Sequence, residues 1–301
     1  MNQGSKAKPE NLPAVLAAAL GLALFIGVSA AGQSAPSSQT PPKQPATAGS
    51  AQAPATGQTP AAGQTPAAPQ QPPVNKEEED AYKALYSMTE QQDADVITNG
   101  EAFLAKYPTS RYRTSVYSRL VSAYMNTHQT DKLLATGEKA LAENPDNVDV
   151  LALLCTIIPR TVDPRSLDAD QKLSEAERDA RHAIQLLNAM QIPAGQTPER
   201  FNLAKSEMLG MAHYGLGLVN YMRGDTSASV AELEQATKID PQPEPLEFYL
   251  LGSGDLKLKK YQDAAAAFDR CATAQWDPQW QARCKKGEED AKQAAASPAK
   301  P

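Results

Sequence analysis

The chain has little of what most enzymes and metalloproteins are built from. Its 301 residues include 3 histidines and 3 cysteines. The histidines are far apart and no two cysteines stand in Cys-x-x-Cys spacing, which argues against a structural zinc site or a thioredoxin-like centre. No Gly-rich phosphate loop, His-Glu-x-x-His or Gly-x-Ser-x-Gly element is present, and Gly252-Ser253-Gly254 lacks the required spacing. His128 falls in a turn and His182 on a charged helix. Asp163, Asp168 and Asp170 form an acidic loop without the glycine and distal glutamate of a calcium loop. The sequence therefore offers no catalytic residue, metal or cofactor, and the expectation is a protein that is not an enzyme. A net charge of −6 with short, scattered basic clusters speaks against nucleic acid as a partner. With 5 phenylalanines and 6% aromatic residues, a thick core is not expected.

Proline is abundant and unevenly placed. Of 24 prolines, 10 fall between Pro36 and Pro73, where Lys43 is the only charge. Apart from Lys43, Val74 and Asn75, residues 32–75 are Ala, Pro, Gln, Thr, Ser and Gly, with Gly57-Gln-Thr-Pro-Ala-Ala repeated from Gly63. Such a segment cannot bury enough apolar area to offset backbone ordering and reads as a disordered linker. Before it, residues 1–31 carry Lys6 and Lys8, an apolar run from Leu12 to Ala31, and small residues that permit cleavage after Ala30 or Ala31. That is the pattern of a signal peptide; its alternative is an uncleaved N-terminal membrane anchor. Both place the remainder outside the cytoplasm, in the periplasm or cell envelope, because the positive flank stays inside. Membrane contact is then limited to this segment, if it is retained.

From Lys76 the pattern changes to amphipathic segments about 14 residues long separated by polar turns. Leu216-Gly217 aligns with Leu251-Gly252 at a 35-residue offset, and Ser229 with Ala264, Leu233 with Phe268 and Ala236 with Cys271 follow at the same offset. Pro241 closes the first of these units, and Trp276 stands at the equivalent place in the second. A third copy runs from Thr114 to Pro145, with Leu133 and Gly137 in place of the usual small and large residues. Val148 to Asn188 is a stretched copy whose first helix is expected to end near Pro159. Glu77 to Pro108 is the weakest copy, with Tyr82 and Leu85 on its buried side. Ser110, Thr130, Asn147, Thr197, Asp225 and Asp277 suit helix N-caps, Pro198 and Pro278 the first helical position, and Gly224 a helix end.

This pattern resembles the tetratricopeptide repeat family, over about residues 76–294. The resemblance implies an all-α fold, an α-solenoid wound as a right-handed superhelix of about five helical hairpins, with a C-terminal capping helix and a disordered tail at 295–301. It further implies that the first helix of each hairpin lines a concave groove for peptides or helices. Carried over by motif position, the groove holds Met211, Tyr214, Leu218, Tyr221 and Met222, then Leu246, Tyr249, Ser253 and Leu256. Ser115, Ser118, Ser122, Met125 and Asn126 continue it toward the N-terminus. The places where chaperone-tail binders of the family carry Lys and Asn hold Ser118, Tyr214 and Tyr249 here, so that carboxylate clamp is absent. The stretch Phe103 to Tyr112 is similar to the inter-repeat turn of exported cell-envelope repeat proteins. The implied function is a non-catalytic scaffold binding a protein or peptide partner in the envelope; the alternative is an enzyme accessory or sensor holding a small molecule or glycan strand in the same groove. His213 takes the first aromatic place of its unit, a core position. Cys155 reads as core. Cys271 and Cys284 are either two buried thiols or a disulfide between the last hairpin and the cap.

Overall fold

In a computed structural model the chain is described over residues 75–193 and 195–296. The expected signal or anchor segment, nearly all of the linker, and residues 297–301 lie outside the described residues. Within them the chain forms α-helices in an order that matches the repeat reading. The first hairpin is α1 (Lys76–Tyr86) with α2 (Asp93–Lys106), and the second is α3 (Arg113–Asn126) with α4 (Thr130–Glu143). The third is α5 (Val148–Thr161) with α6 (Ala169–Ala189), and the fourth is α7 (Pro198–Arg223) with α8 (Thr226–Ile239). The fifth is α9 (Pro245–Lys257) with α10 (Tyr261–Thr273), and α11 (Pro278–Ala296) caps the stack. Each helix packs on the next, and first helices also meet: α3 touches α5, α5 packs along α7, and α9 touches α11. Contact between helices two apart in sequence is what stacked hairpins require, so this is an all-α helical-repeat solenoid.

The helix ends follow local chemistry. Asn147, Thr197 and Asp225 accept hydrogen bonds from the N–H groups of Val150, Arg200 and Ala228, and Asp277 Oδ1 accepts from Gln279 and Trp280. Ser110 and Thr130 miss the expected role: α3 begins three residues after Ser110, and Thr130 is already the first residue of α4. Ser110 Oγ instead accepts from Tyr112 N–H and donates to Glu78. The turn that ends α3 recurs at the ends of α7 and α9. His128, Gly224 and Lys259 all have left-handed backbone (φ 58°, 79° and 62°), and the next N–H returns five residues, from Gln129 to Tyr124, Asp225 to Asn220 and Lys260 to Asp255. The same turn at the same place in three hairpins is the repeat written in the backbone.

Packing explains the Leu-Gly motif. A Cβ on Gly217 would stand 2.8 Å from Leu233 Cγ, and one on Gly252 3.0 Å from the Phe268 ring, so each glycine makes room for the large residue 16 positions later in its own hairpin. Ser229 Oγ donates to the Gly217 carbonyl at 2.9 Å from the small place. In the second hairpin the arrangement is exchanged. Val121 replaces the glycine, buried Leu133 replaces the small residue, and Gly137 on α4 receives Leu154 of α5, with 2.8 Å from an added Cβ to Leu154 Cδ2.

The third hairpin departs most from the pattern. Helix α5 ends near Pro159 as expected, running two residues past it to Thr161, because a proline so close to the end removes one hydrogen bond without blocking the last turn. The missing N–H is the one that would have paired with the Cys155 carbonyl. Gly215 of α7 lies directly against that carbonyl and against the Cys155 thiol. Eleven of the fourteen residues of α5 are buried, the mark of a helix enclosed on all sides. The extra turns of α6 and α7 pair with one another: Phe201, Ala204 and Met208 pack on Ala183 and Leu187 and on Val148 and Leu151 of α5.

At the C-terminus a disulfide joins Cys271 of α10 to Cys284 of α11, with Cα atoms 5.8 Å apart. Cys155 is fully buried as a free thiol. Trp276 Nε1–H donates to the Cys271 carbonyl at 3.1 Å and its ring stacks on Trp280, 5.6 Å away. Helix α11 continues to Ala296, two residues past the expected end of the solenoid.

Candidate functional site

The residues expected to line an apolar groove are placed differently by the structure. Tyr214, Leu218 and Leu246 are 2%, 1% and 5% exposed and share one core cluster with Leu233, Leu250 and Trp280. They are corrected from groove to core, because at these positions α7 and α9 carry residues large enough to fill the space between neighbouring hairpins. The other six are half-buried. Met211 and Met222 pack on the side facing α5. Tyr221 joins the α7–α9 cluster with Lys257 Nζ 5.5 Å from its ring centre. Tyr249 turns toward the cap, 5.0 Å from Trp280 and 5.9 Å from Phe268. Ser253 Oγ donates to the Tyr249 carbonyl, and Leu256 packs on the Ala264, Phe268 and Ala291 cluster.

Toward the N-terminus the same face is polar. Ser118 is buried and accepts from Asn147 Nδ2 at 2.9 Å, which ties α3 to the start of α5. Ser122 bonds to its own helix at the Ser118 carbonyl, Met125 is half-buried, and exposed Asn126 donates to Asp93.

Between these halves lies a charged cluster that motif positions did not reveal. Arg160, at the end of α5, donates from Nη2 to Glu244 Oε2 at 2.6 Å across 84 residues. Its guanidinium stands over the Tyr214 ring of α7, 5.4 Å from the centre. Glu247, in the first turn of α9, accepts the Glu244 N–H through Oε1 at 3.1 Å. Its Oε2 and the Tyr214 hydroxyl oxygen are buried without a hydrogen-bond partner. Burial pushes the Glu247 carboxyl well above its ordinary range, with Glu244 and Asp240 raising it further and Arg160 opposing. Burial likewise raises the Tyr214 phenol. Arg160 is held charged: burial works against it, but Tyr214 and Glu244 overcome that. The only signal for Arg160 in the sequence was its place near the end of a first helix, and the stretched third copy hid that register.

The histidines are ordinary surface or hairpin contacts. His213, expected in the core, is half-buried and its Nδ1 lies 2.7 Å from Glu232 of α8; His182 Nε2 lies 2.9 Å from Asp146. Asp163 and Asp168 pair with Arg165 and Lys172 at 3.0 and 2.8 Å. Among the described residues no group of three His, Cys, Asp or Glu is placed to hold a metal ion, and no helix is long and apolar enough to cross a membrane.

The carboxyls set a pH dependence. Burial pushes Asp149, Asp179 and Asp255 up to about 6 from an ordinary 3.8, in the same direction as Glu247. Groups that bind protons more tightly when folded stabilise the fold below their unfolded pKa and lose that contribution as pH rises through the folded value. Glu101, Glu143 and Glu177 oppose this at lower pH. Hydrogen bonds from Tyr124, Arg113 and Arg223 hold them below 4.5, so their contribution is lost on acidification. Melting followed by circular dichroism should therefore show a maximum near pH 5, with Tm at least about 3 °C above that at pH 7.5. A Tm that climbs steadily from pH 5 to 8 would contradict the burial of these carboxyls.

No family model matches the chain and no curated protein matches it. Solved structures do match, two of them as follows. One is a thermophilic tetratricopeptide repeat protein of Thermus thermophilus, 16% identical, with 70% of this chain and 98% of that one covered and a TM-score of 0.45. The other is a tetratricopeptide repeat protein of Parabacteroides merdae, 12% identical, with 72% and 100% covered and a TM-score of 0.29.

Proposed function

We propose that the chain is a non-catalytic scaffold of the cell envelope that binds a protein partner on the face carried by its first helices. The observation that carries this reading is the junction of Arg160, Tyr214, Glu244 and Glu247, which spans α5, α7 and the start of α9 and reaches solvent at its Arg160–Glu244 rim, above the buried Tyr214 and Glu247. A surface assembled from three successive hairpins is continuous only while the hairpins stay stacked, so it suits an extended ligand read along several repeats rather than a small molecule held in one pocket. The half-buried Ser122 and Met125 on α3 and Ser253 on α9 lie at the groove positions of their hairpins and extend the same face in both directions.

The envelope location is supported by the N-terminal apolar segment and its basic flank, and by the Cys271–Cys284 disulfide, since such bonds persist in oxidising compartments. In that reading the proline-rich linker is a tether that lets the solenoid reach partners away from the membrane. A photo-crosslinking amino acid placed in cells at Ser122, Met125 or Ser253 should give discrete protein adducts. The same group at Lys139 or Gln235, exposed on second helices, should give none. Equal yields from both sets would defeat the assignment of the face.

A further inference from the structure

We propose that the junction of α5, α7 and α9 takes up a basic side chain, a lysine or arginine, from the partner. This deepens the scaffold reading and rests on it. Two oxygens at the junction are buried without a hydrogen-bond partner: Glu247 Oε2 and the Tyr214 hydroxyl oxygen, on residues each 2% exposed. Buried oxygens without partners are costly, and a cation with several N–H groups would satisfy both once Glu247 gives up its proton.

The surrounding charge favours the same ligand. Glu207 of α7 lies within electrostatic reach of Asp240 at the end of α8, and Asp240 and Glu244 lie within reach of Glu247. Gly210 lets Asp240 sit directly on α7, since a Cβ there would stand 2.5 Å from Asp240 Cβ. Against these four carboxyl groups, Arg160 is the cation whose charge reaches Glu247 among the described residues, and its bond to Glu244 occupies it. The carboxyls do not converge as metal ligands do, which leaves an organic cation engaging one or two of them at a time. Arg160 and Glu244 keep 15% and 24% of their side-chain surface exposed, so the rim between them gives entry.

Binding should carry a proton signature. The groups facing Glu247 are Arg160 from α5, Tyr214 from α7, Asp240 from α8, and Glu244 before α9. With burial and two neighbouring carboxyls raising it, Glu247 binds its proton more tightly than an ordinary carboxyl, and an incoming cation favours release of that proton.

The test uses the full chain and a nonapeptide of alternating arginine and glycine, with the citrulline peptide as neutral control. Titration calorimetry in phosphate and in Tris reads affinity and proton release together. The arginine peptide should bind about tenfold or more tightly than the citrulline peptide, with heats that differ between the buffers. Glu247→Gln should remove the buffer difference and weaken binding about tenfold, and Tyr214→Phe should weaken it severalfold. Should Glu247→Gln fail to fold, Tyr214→Phe and the buffer comparison on the unaltered chain still decide. Equal binding of both peptides, or binding by Glu247→Gln with its buffer dependence intact, overturns the proposal. Adducts from Ser122 and Met125 would persist in that case, which separates failure here from failure of the scaffold reading.

Discussion

Gly215→Val should unfold the middle of the stack, lowering stability by about 3 kcal/mol or more. The first Cβ added there would stand 2.7 Å from the Cys155 thiol, 2.8 Å from its carbonyl oxygen and 3.0 Å from its carbonyl carbon. Two of those three atoms are backbone of α5, which cannot rotate away as a side chain tip can. Helix α5 has no room to retreat, since it is enclosed by the hairpins on both sides. Gly217→Ala is the control. It meets the Leu233 side chain instead of backbone, and its gain in helix propensity, about 1 kcal/mol, offsets part of the crowding. Urea unfolding followed by circular dichroism measures both, and a Gly215→Val midpoint within error of the Gly217→Ala midpoint would show that α5 and α7 do not approach this closely.

The second large effect concerns the cap. Cys284→Ala should cost about 3 kcal/mol, the value for closing a loop of similar size in the unfolded chain, given the 13-residue separation of Cys271 and Cys284. The loss should be local. Helix α11 has polar flanks after Cys284, and its hold on the stack comes from Trp280, Cys284 and Ala291. Without the cross-link, trypsin should cut after Lys285 or Lys286 and release the C-terminal fragment while residues 76–273 remain protected. The unaltered chain should resist that cut until reduced. Persistence of α11 in the alanine variant, at the same rate of cleavage as the unaltered chain, would assign the cap's stability to packing alone.

Much of the fold was legible because it depends on local chemistry repeated along the chain. Asn147, Thr197 and Asp225 announce helix starts through their own side chains, and Gly224 an end through its backbone freedom. The Leu-Gly pairs and their partners Leu233 and Phe268 announce the hairpin contact, since both halves lie within one unit. The candidate site was much less legible. Periodicity shows that Tyr214, Leu218 and Leu246 share a face, but whether that face meets solvent or the next hairpin depends on the spacing between units, which one unit's sequence does not contain. The Arg160–Glu244 pair bridges two units across an insertion, so no fixed offset points to it. Lys259 and His128 take the left-handed turn without glycine, and only their alignment with Gly224 betrays them.

The face carried by the first helices is the part of the molecule on which the functional account depends, and in-cell photo-crosslinking tests it most directly. With the crosslinking residue at Ser122, Met125 or Ser253, the account predicts discrete envelope-protein adducts that are absent from the Lys139 and Gln235 positions. Adducts arising equally from the second-helix positions, or none from the first-helix positions of a folded and exported chain, would contradict it.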